Sequence, residues 1–161
     1  MRSETAGEMV SGTVRRKGTK MAQKGYQTNL ASEFYVMSTL YRLGYDANLT
    51  LGNKKAVDII VVLGEGQAAT VDVKAVAGKM DWLFGNSPPH QAKNHYIVLL
   101  SFEGKFSEVG SVPRAWVFPS RKLVNFIKVA GNKTTRYVSR KAIIETGSEF
   151  ENGWKLIEKE V

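Results

Sequence analysis

Val57-Asp-Ile-Ile-Val-Val-Leu-Gly-Glu-Gly-Gln-Ala-Ala-Thr-Val-Asp-Val-Lys-Ala-Val76 is the most regular passage of the chain. It opens on Val57 to Leu63 and closes on Ala68 to Val76, both rich in β-branched residues that suit a pleated strand. Between them, Gly64-Glu65-Gly66 has the composition of a three-residue hairpin loop with glycine at the left-handed position. A loop over 64–66 sets Leu63 opposite Gln67 and Asp58 opposite Asp72.

Strand side chains alternate between faces. Ile59, Val61 and Leu63 therefore share one face, and Asp58, Ile60 and Val62 share the other. Apart from Asp58 both faces are apolar, the pattern of a central strand covered on both sides. A carboxylate in such a place is costly unless something compensates its charge. Facing residues have β-carbons about 5 Å apart, so Asp58 and Asp72 repel one another. Lys74, two residues beyond Asp72, falls on the same face. A slip of one residue in register would scatter the group.

Outward from the hairpin, Thr28 to Leu43 reads as a helix. Leu30, Phe34, Met37, Leu40 and Tyr41 recur at helical spacing, and Gly44 stands where helices end. Glu33 follows Leu30 by three positions and precedes Met37 by four, so it lies at or beside that stripe. If the helix covers the hairpin, Glu33 joins the two aspartates. Tyr45 to Leu51 reads as a short strand, followed by a polar loop over 52–55. Residues 77–94 read as irregular. Strands are expected at His95 to Phe102 and Arg114 to Phe118, and helices at Arg121 to Val129 and Phe150 to Ile157. Segment 132–145 fits neither pattern clearly. The order predicts an α/β fold, a central mixed β-sheet flanked by helices.

The 161 residues are 43% hydrophobic and 24% charged, enough apolar material for one core without staples. There is no cysteine, which excludes disulfides, thiolate zinc sites and a cysteine nucleophile. The two histidines, His90 and His95, make a histidine-rich metal site unexpected and read as structural. No apolar run reaches membrane-spanning length, and the expectation is a cytoplasmic protein with no membrane partner. Net charge is +8, which suits polyanionic partners. Residues 1–24 carry six basic and two acidic residues, with much Gly, Ser and Thr. They read as a disordered basic tail, and 25–161 as a single domain.

Two facing carboxylates with a lysine beside them suit phosphodiester hydrolysis. Magnesium is held by one or two carboxylates and retains waters, which supplies a nucleophile and positive charge together. On this reading Asp58 and Asp72 are direct ligands of Mg2+ (or Mn2+), joined by the backbone carbonyl of Val73. Lys74 orients or helps to deprotonate the attacking water and stabilises the transition state. Glu33 holds a metal-bound water or a second metal.

Glu33, then Val57-Asp58, then Asp72-Val73-Lys74 resemble the PD-(D/E)xK nuclease superfamily over roughly residues 25–102. Val57 stands where the family name has proline. The resemblance implies a restriction-endonuclease-like core and a metal-dependent endonuclease acting on nucleic acid, in the first place DNA. It maps Glu33 to the helix acid, Asp58 and Asp72 to the strand acids, and Lys74 to the lysine. Cutting both strands would suggest a homodimer. The alternative is a catalytically inactive nucleic-acid-binding or assembly module on the same fold.

Beyond the motif, Lys79, Gln91 and Lys93 are candidate nucleic-acid contacts, in a segment where Trp82 and Phe84 are expected to pack beneath the loop. Arg121, Lys122, Lys128, Lys133, Arg136, Arg140 and Lys141 form a basic tract, either phosphate-facing or simply solvated.

Overall fold

The computed structural model describes residues 17–50, 57–131 and 133–158, with 17–23 and 158 described by backbone only. The loop expected over 52–55 lies outside these residues. Helix α1 spans Lys17–Arg42, beginning well before the expected Thr28, so the last part of the expected tail is helical. Strands β1 (Asp46–Leu49), β2 (Ile59–Gly64), β3 (Gln67–Val76), β5 (His95–Ser101) and β6 (Arg114–Pro119) form a five-stranded sheet in the order β1-β2-β3-β5-β6. Only the β3–β5 pair is parallel, so the sheet is mixed.

The hairpin has the expected register by a different route. The turn closes on Glu65 and Gly66 alone, with Gly66 at φ +72°, and Gly64 pairs with Gln67. The register then shifts between Val62 and Gly64, where Leu63 is the extra residue of a β-bulge. The shorter turn and the bulge cancel, leaving Ile59 opposite Val71 and Val62 opposite Ala68.

The face of Ile59, Val61, Val71, Val73, Tyr96 and Val98 packs against α1, through Val36 and Leu40, and against Trp154 and Ile157. The helix stripe expected from size is buried only in part, at Leu40 and, half-buried against the core, Met37. Thr28, Ser32, Val36 and Leu40 are buried, whereas Leu30, Phe34 and Tyr41 are 37%, 51% and 52% exposed. Small residues let the helix approach the sheet. Their hydroxyls stay satisfied within the helix, Thr28 donating to the Lys24 carbonyl at 3.0 Å and Ser32 to the Asn29 carbonyl at 2.6 Å.

The opposite face is covered over β3, β5 and β6 by a second layer. Strand β4 (Trp82–Gly85) forms within the segment expected to be irregular. It pairs with β8 (Arg136–Val138), which pairs with β7 (Ile127–Val129), in a three-stranded antiparallel sheet. The helix expected over Arg121 to Val129 is divided among the one-turn α2 (Ser120–Leu123), a 3-10 turn at Val124–Phe126 and β7. The ambiguous segment resolves into β8 and α3 (Arg140–Thr146), and the final helix is a 3-10 turn at Trp154–Glu158. Trp82 fixes this layer to the main sheet. It is buried, donates to the Leu100 carbonyl at 3.1 Å and meets Trp116 edge-to-face at 5.6 Å. The second layer stops short of β2, where Ile60 and Val62 are 37% and 44% exposed. Strand β2 is therefore open on one face rather than covered on both.

Candidate active site

Asp58 and Asp72 meet where the β2–β3 ladder ends. The last regular pair is Ile59 with Val71, and Asp58 lies just outside β2. There the carboxylates take over the work of ladder bonds. The Val73 amide donates to Asp58 Oδ2 at 2.7 Å, and the Asp58 amide donates to the Asp72 carboxylate as well as to the Val71 carbonyl. Each acid is thus held by a backbone N–H of the opposite strand, which fixes the pair more firmly than side-chain packing would.

Burial raises the Asp72 pKa above the ordinary aspartate value. His95 and Lys74 pull it back, Asp58 pushes it further up, and the Asp58 amide lowers it; the net direction is upward. The charge of this carboxylate is compensated only in part by the protein alone, the condition in which a bound cation is favoured. Lys74, half-buried on the same strand, carries its ammonium 5.9 Å from the centre of the Phe84 ring.

A histidine also belongs to this cluster. His95 opens β5, pairs in register with Thr70, and is 2% exposed. Its Nδ1 lies 2.9 Å from Thr70 Oγ1, its Nε2 lies 3.6 Å from Asp72 Oδ2, and its ring is 5.6 Å from that of His90. Burial lowers its pKa, the Asp72 charge and a hydrogen bond that the ring donates to the Thr70 backbone oppose this, and His90 adds to the lowering. The sequence makes His95 a structural residue, and the structure sets it against Asp72. The available signal was Thr70, two residues before Asp72 on the same face, but its partner was hidden in a parallel pairing.

Glu33 is half-buried on the flank of α1 beside Ser32. One turn earlier, Asn29 lines a cavity of about 510 Å³ with Val73 to Val76 of β3 and Met80 to Leu83 around β4. The bulk of α1 covers the other face of the sheet. Among the described residues no three His, Asp or Glu side chains are placed to share one ion. The structure brings together Asp58, Asp72, Lys74 and His95, with Val73 as a backbone partner, and does not add Glu33 to them as a third shared ligand.

The outlying candidates separate. Lys79 follows the C-terminal end of β3 and lines a smaller cavity of about 400 Å³ with Asp81, Arg140 and Lys141. Gln91 and Lys93 are exposed and precede the N-terminal end of β5, which runs parallel to β3. These residues therefore lie at opposite ends of the paired strands.

No family model matches this chain, and no curated protein does. Among solved structures, it is similar to a bacterial homing endonuclease, I-Ssp6803I, with a TM-score of 0.51 and 14% sequence identity, over 83% of this chain and 93% of that one. The two chains share a fold. Among the described residues, no helix is long and apolar enough to cross a membrane.

Proposed function

We propose that this protein is a metal-dependent nuclease that hydrolyses phosphodiester bonds in DNA as an endonuclease. The observation that carries the reading is the Asp58–Asp72 pair with Lys74 beside it, where the β2–β3 ladder ends in a fold shared with a homing endonuclease. The donor set fits a hard cation. Both acids offer carboxylate oxygens, and burial leaves Asp72 short of positive charge. Asp58 and Asp72 would hold Mg2+ or Mn2+ together with the Val73 carbonyl, and Glu33 would act through a water, which needs no shared ligand shell. When bound, the ion supplies positive charge for the phosphate and a more acidic water.

The chain's own residues supply the rest. The Val73 and Asp58 amides hold the acids in place, so little reorganisation is needed when substrate arrives. Lys74 sets a positive charge where negative charge grows on the phosphate as water adds to phosphorus and the bond to the leaving oxygen breaks. The open face beside Ile60 and Val62 admits a polymer. Two copies would act on a duplex, since one site cuts one strand.

Asp72→Ala and Lys74→Ala should each lower cleavage of plasmid DNA with Mg2+ by at least about a hundredfold, both variants remaining folded and Asp72→Ala having a thermal midpoint no lower than that of the unaltered protein. Full activity in either variant ends the proposal. A protein that binds DNA in a salt-sensitive way but never cleaves it, with no response to metal, is the inactive binding module instead.

A further inference from the structure

The basic tract of residues 121–141 contains seven basic residues and no acidic one. In the structure it runs through the β7–β8 hairpin, the outer part of the second sheet. Cross-strand register sorts its side chains. Trp82, Val138 and Ile127 stand in one row and face the core. Leu83, Tyr137 and Lys128 stand in the next row, which alternation directs outward. Leu83 is 67% exposed, Lys128 is exposed and Tyr137 half-buried. Two of the tract's arginines are committed inside the protein, Arg140 to Glu103 and Arg136 to the Asn86 carbonyl. Lys128 and Lys133 are exposed and, among the described residues, form no ion pair.

One member of this row shares a cavity with one residue of the candidate active site. Leu83 lines the 510 Å³ cavity together with Lys74. One exposed lysine in this row and a second, Lys133, in the adjoining β7–β8 turn argue for a polyanion rather than a protein partner, because lysine is depleted at protein interfaces. Positive charge without nearby acids selects a polyanion.

We propose that the outer face of the β4–β8–β7 sheet is the docking surface for a DNA duplex. The β7–β8 ribbon lies in the major groove, which admits a two-stranded ribbon, and Lys128 and Lys133 meet backbone phosphates. Leu83 bridges this surface to the cavity of Lys74, so the scissile phosphate is presented beside the groove contact. The inference rests on the nuclease reading only for what happens after docking.

The test uses the full chain and a fluorescent duplex without divalent metal, with binding followed by anisotropy over a salt series. Lys128→Gln combined with Lys133→Gln should weaken duplex binding about tenfold to a hundredfold and reduce the slope of log affinity against log salt by about two. Leu83→Glu, at a position exposed enough to leave folding intact, should weaken it in the same direction. Binding as tight and as salt-sensitive as that of the unaltered protein in both variants overturns the proposal. So does a wild-type protein that binds no duplex, or that prefers a single strand of equal length. Hydrolysis of bis(p-nitrophenyl) phosphate by the wild-type protein with Mg2+ tests the catalytic reading separately. Its absence alongside lysine-dependent duplex binding sinks the nuclease and leaves the docking surface.

Discussion

Asp72 is the residue at which the proposed metal should change the energetics most. Burial and Asp58 raise its pKa, and His95 and Lys74 compensate only in part. Well below the ordinary aspartate range, folded and unfolded chains both keep the proton and Asp72 has no effect on stability. As pH rises the unfolded chain loses its proton first, the folded state binds more protons, and stability falls until the folded carboxyl ionises too. Asp72→Asn should therefore raise the thermal midpoint of the metal-free protein at neutral pH, and the gain should vanish in acid. With Mg2+ at a hundredfold excess over its dissociation constant the order should reverse, because the wild type gains about 2.7 kcal/mol from binding. Scanning calorimetry with and without Mg2+ checks both signs; a variant less stable than wild type without metal would contradict the account. The Asp58, Asp72 and Lys74 grouping was legible because alternation and hairpin register are local rules. The bulge at Leu63 could have broken it, and did not because the turn shortened by the same single residue. His95 was not legible, since its neighbours come from a parallel pairing across an irregular connection, which no local pattern encodes.

At the scale of elements, size misled where closeness mattered. Large apolar residues at helical spacing implied that Leu30, Phe34 and Tyr41 face the sheet, yet α1 packs through Thr28, Ser32, Val36 and Leu40. Leu40→Ala, at a fully buried site, should cost about 3 kcal/mol. Phe34→Ala, half exposed, should cost less than about 0.5 kcal/mol despite removing a larger side chain. Urea unfolding of the two variants decides which stripe carries the packing; equal losses would restore the reading by size. The second sheet escaped notice for a related reason. Its strands β4, β7 and β8 are three or four residues each, too short for periodicity to register. Ile127-Lys128-Val129 continues a helical pattern as readily as it alternates, and pairing with β8 settles the matter.

At the scale of the molecule, the second sheet is a separate layer, and what holds it over the main sheet bears on how a substrate is presented. Trp82 supplies the apolar anchor, and Glu103 with Arg140 supplies a polar clasp. Glu103 follows β5, takes Arg140 Nη2 at 2.8 and 2.7 Å on its two oxygens, and accepts from Ser101 Oγ at 2.6 Å. Arg140 begins α3, and its backbone N–H donates to Asp81 Oδ1 at 2.8 Å. Burial alone would raise the Glu103 pKa, but the bonds from Arg140 and Ser101 and the charges of Arg140 and Arg114 outweigh it, and the net shift is downward. A carboxylate depressed in the folded state contributes stability that is complete above its unfolded pKa and is lost as pH falls through its folded pKa. The sign is opposite to that of Asp72, so the difference between wild type and Glu103→Gln isolates this one group. At neutral pH the variant should be less stable by about 2 kcal/mol, below the range for fully buried pairs because both side chains keep some solvent contact. The gap should close as pH falls below the ordinary glutamate range. Because the clasp joins layers rather than residues of one core, amide exchange in β7 and β8 should quicken more than in β3 and β5. An exchange increase spread evenly over both sheets would mean that the two layers unfold as one unit.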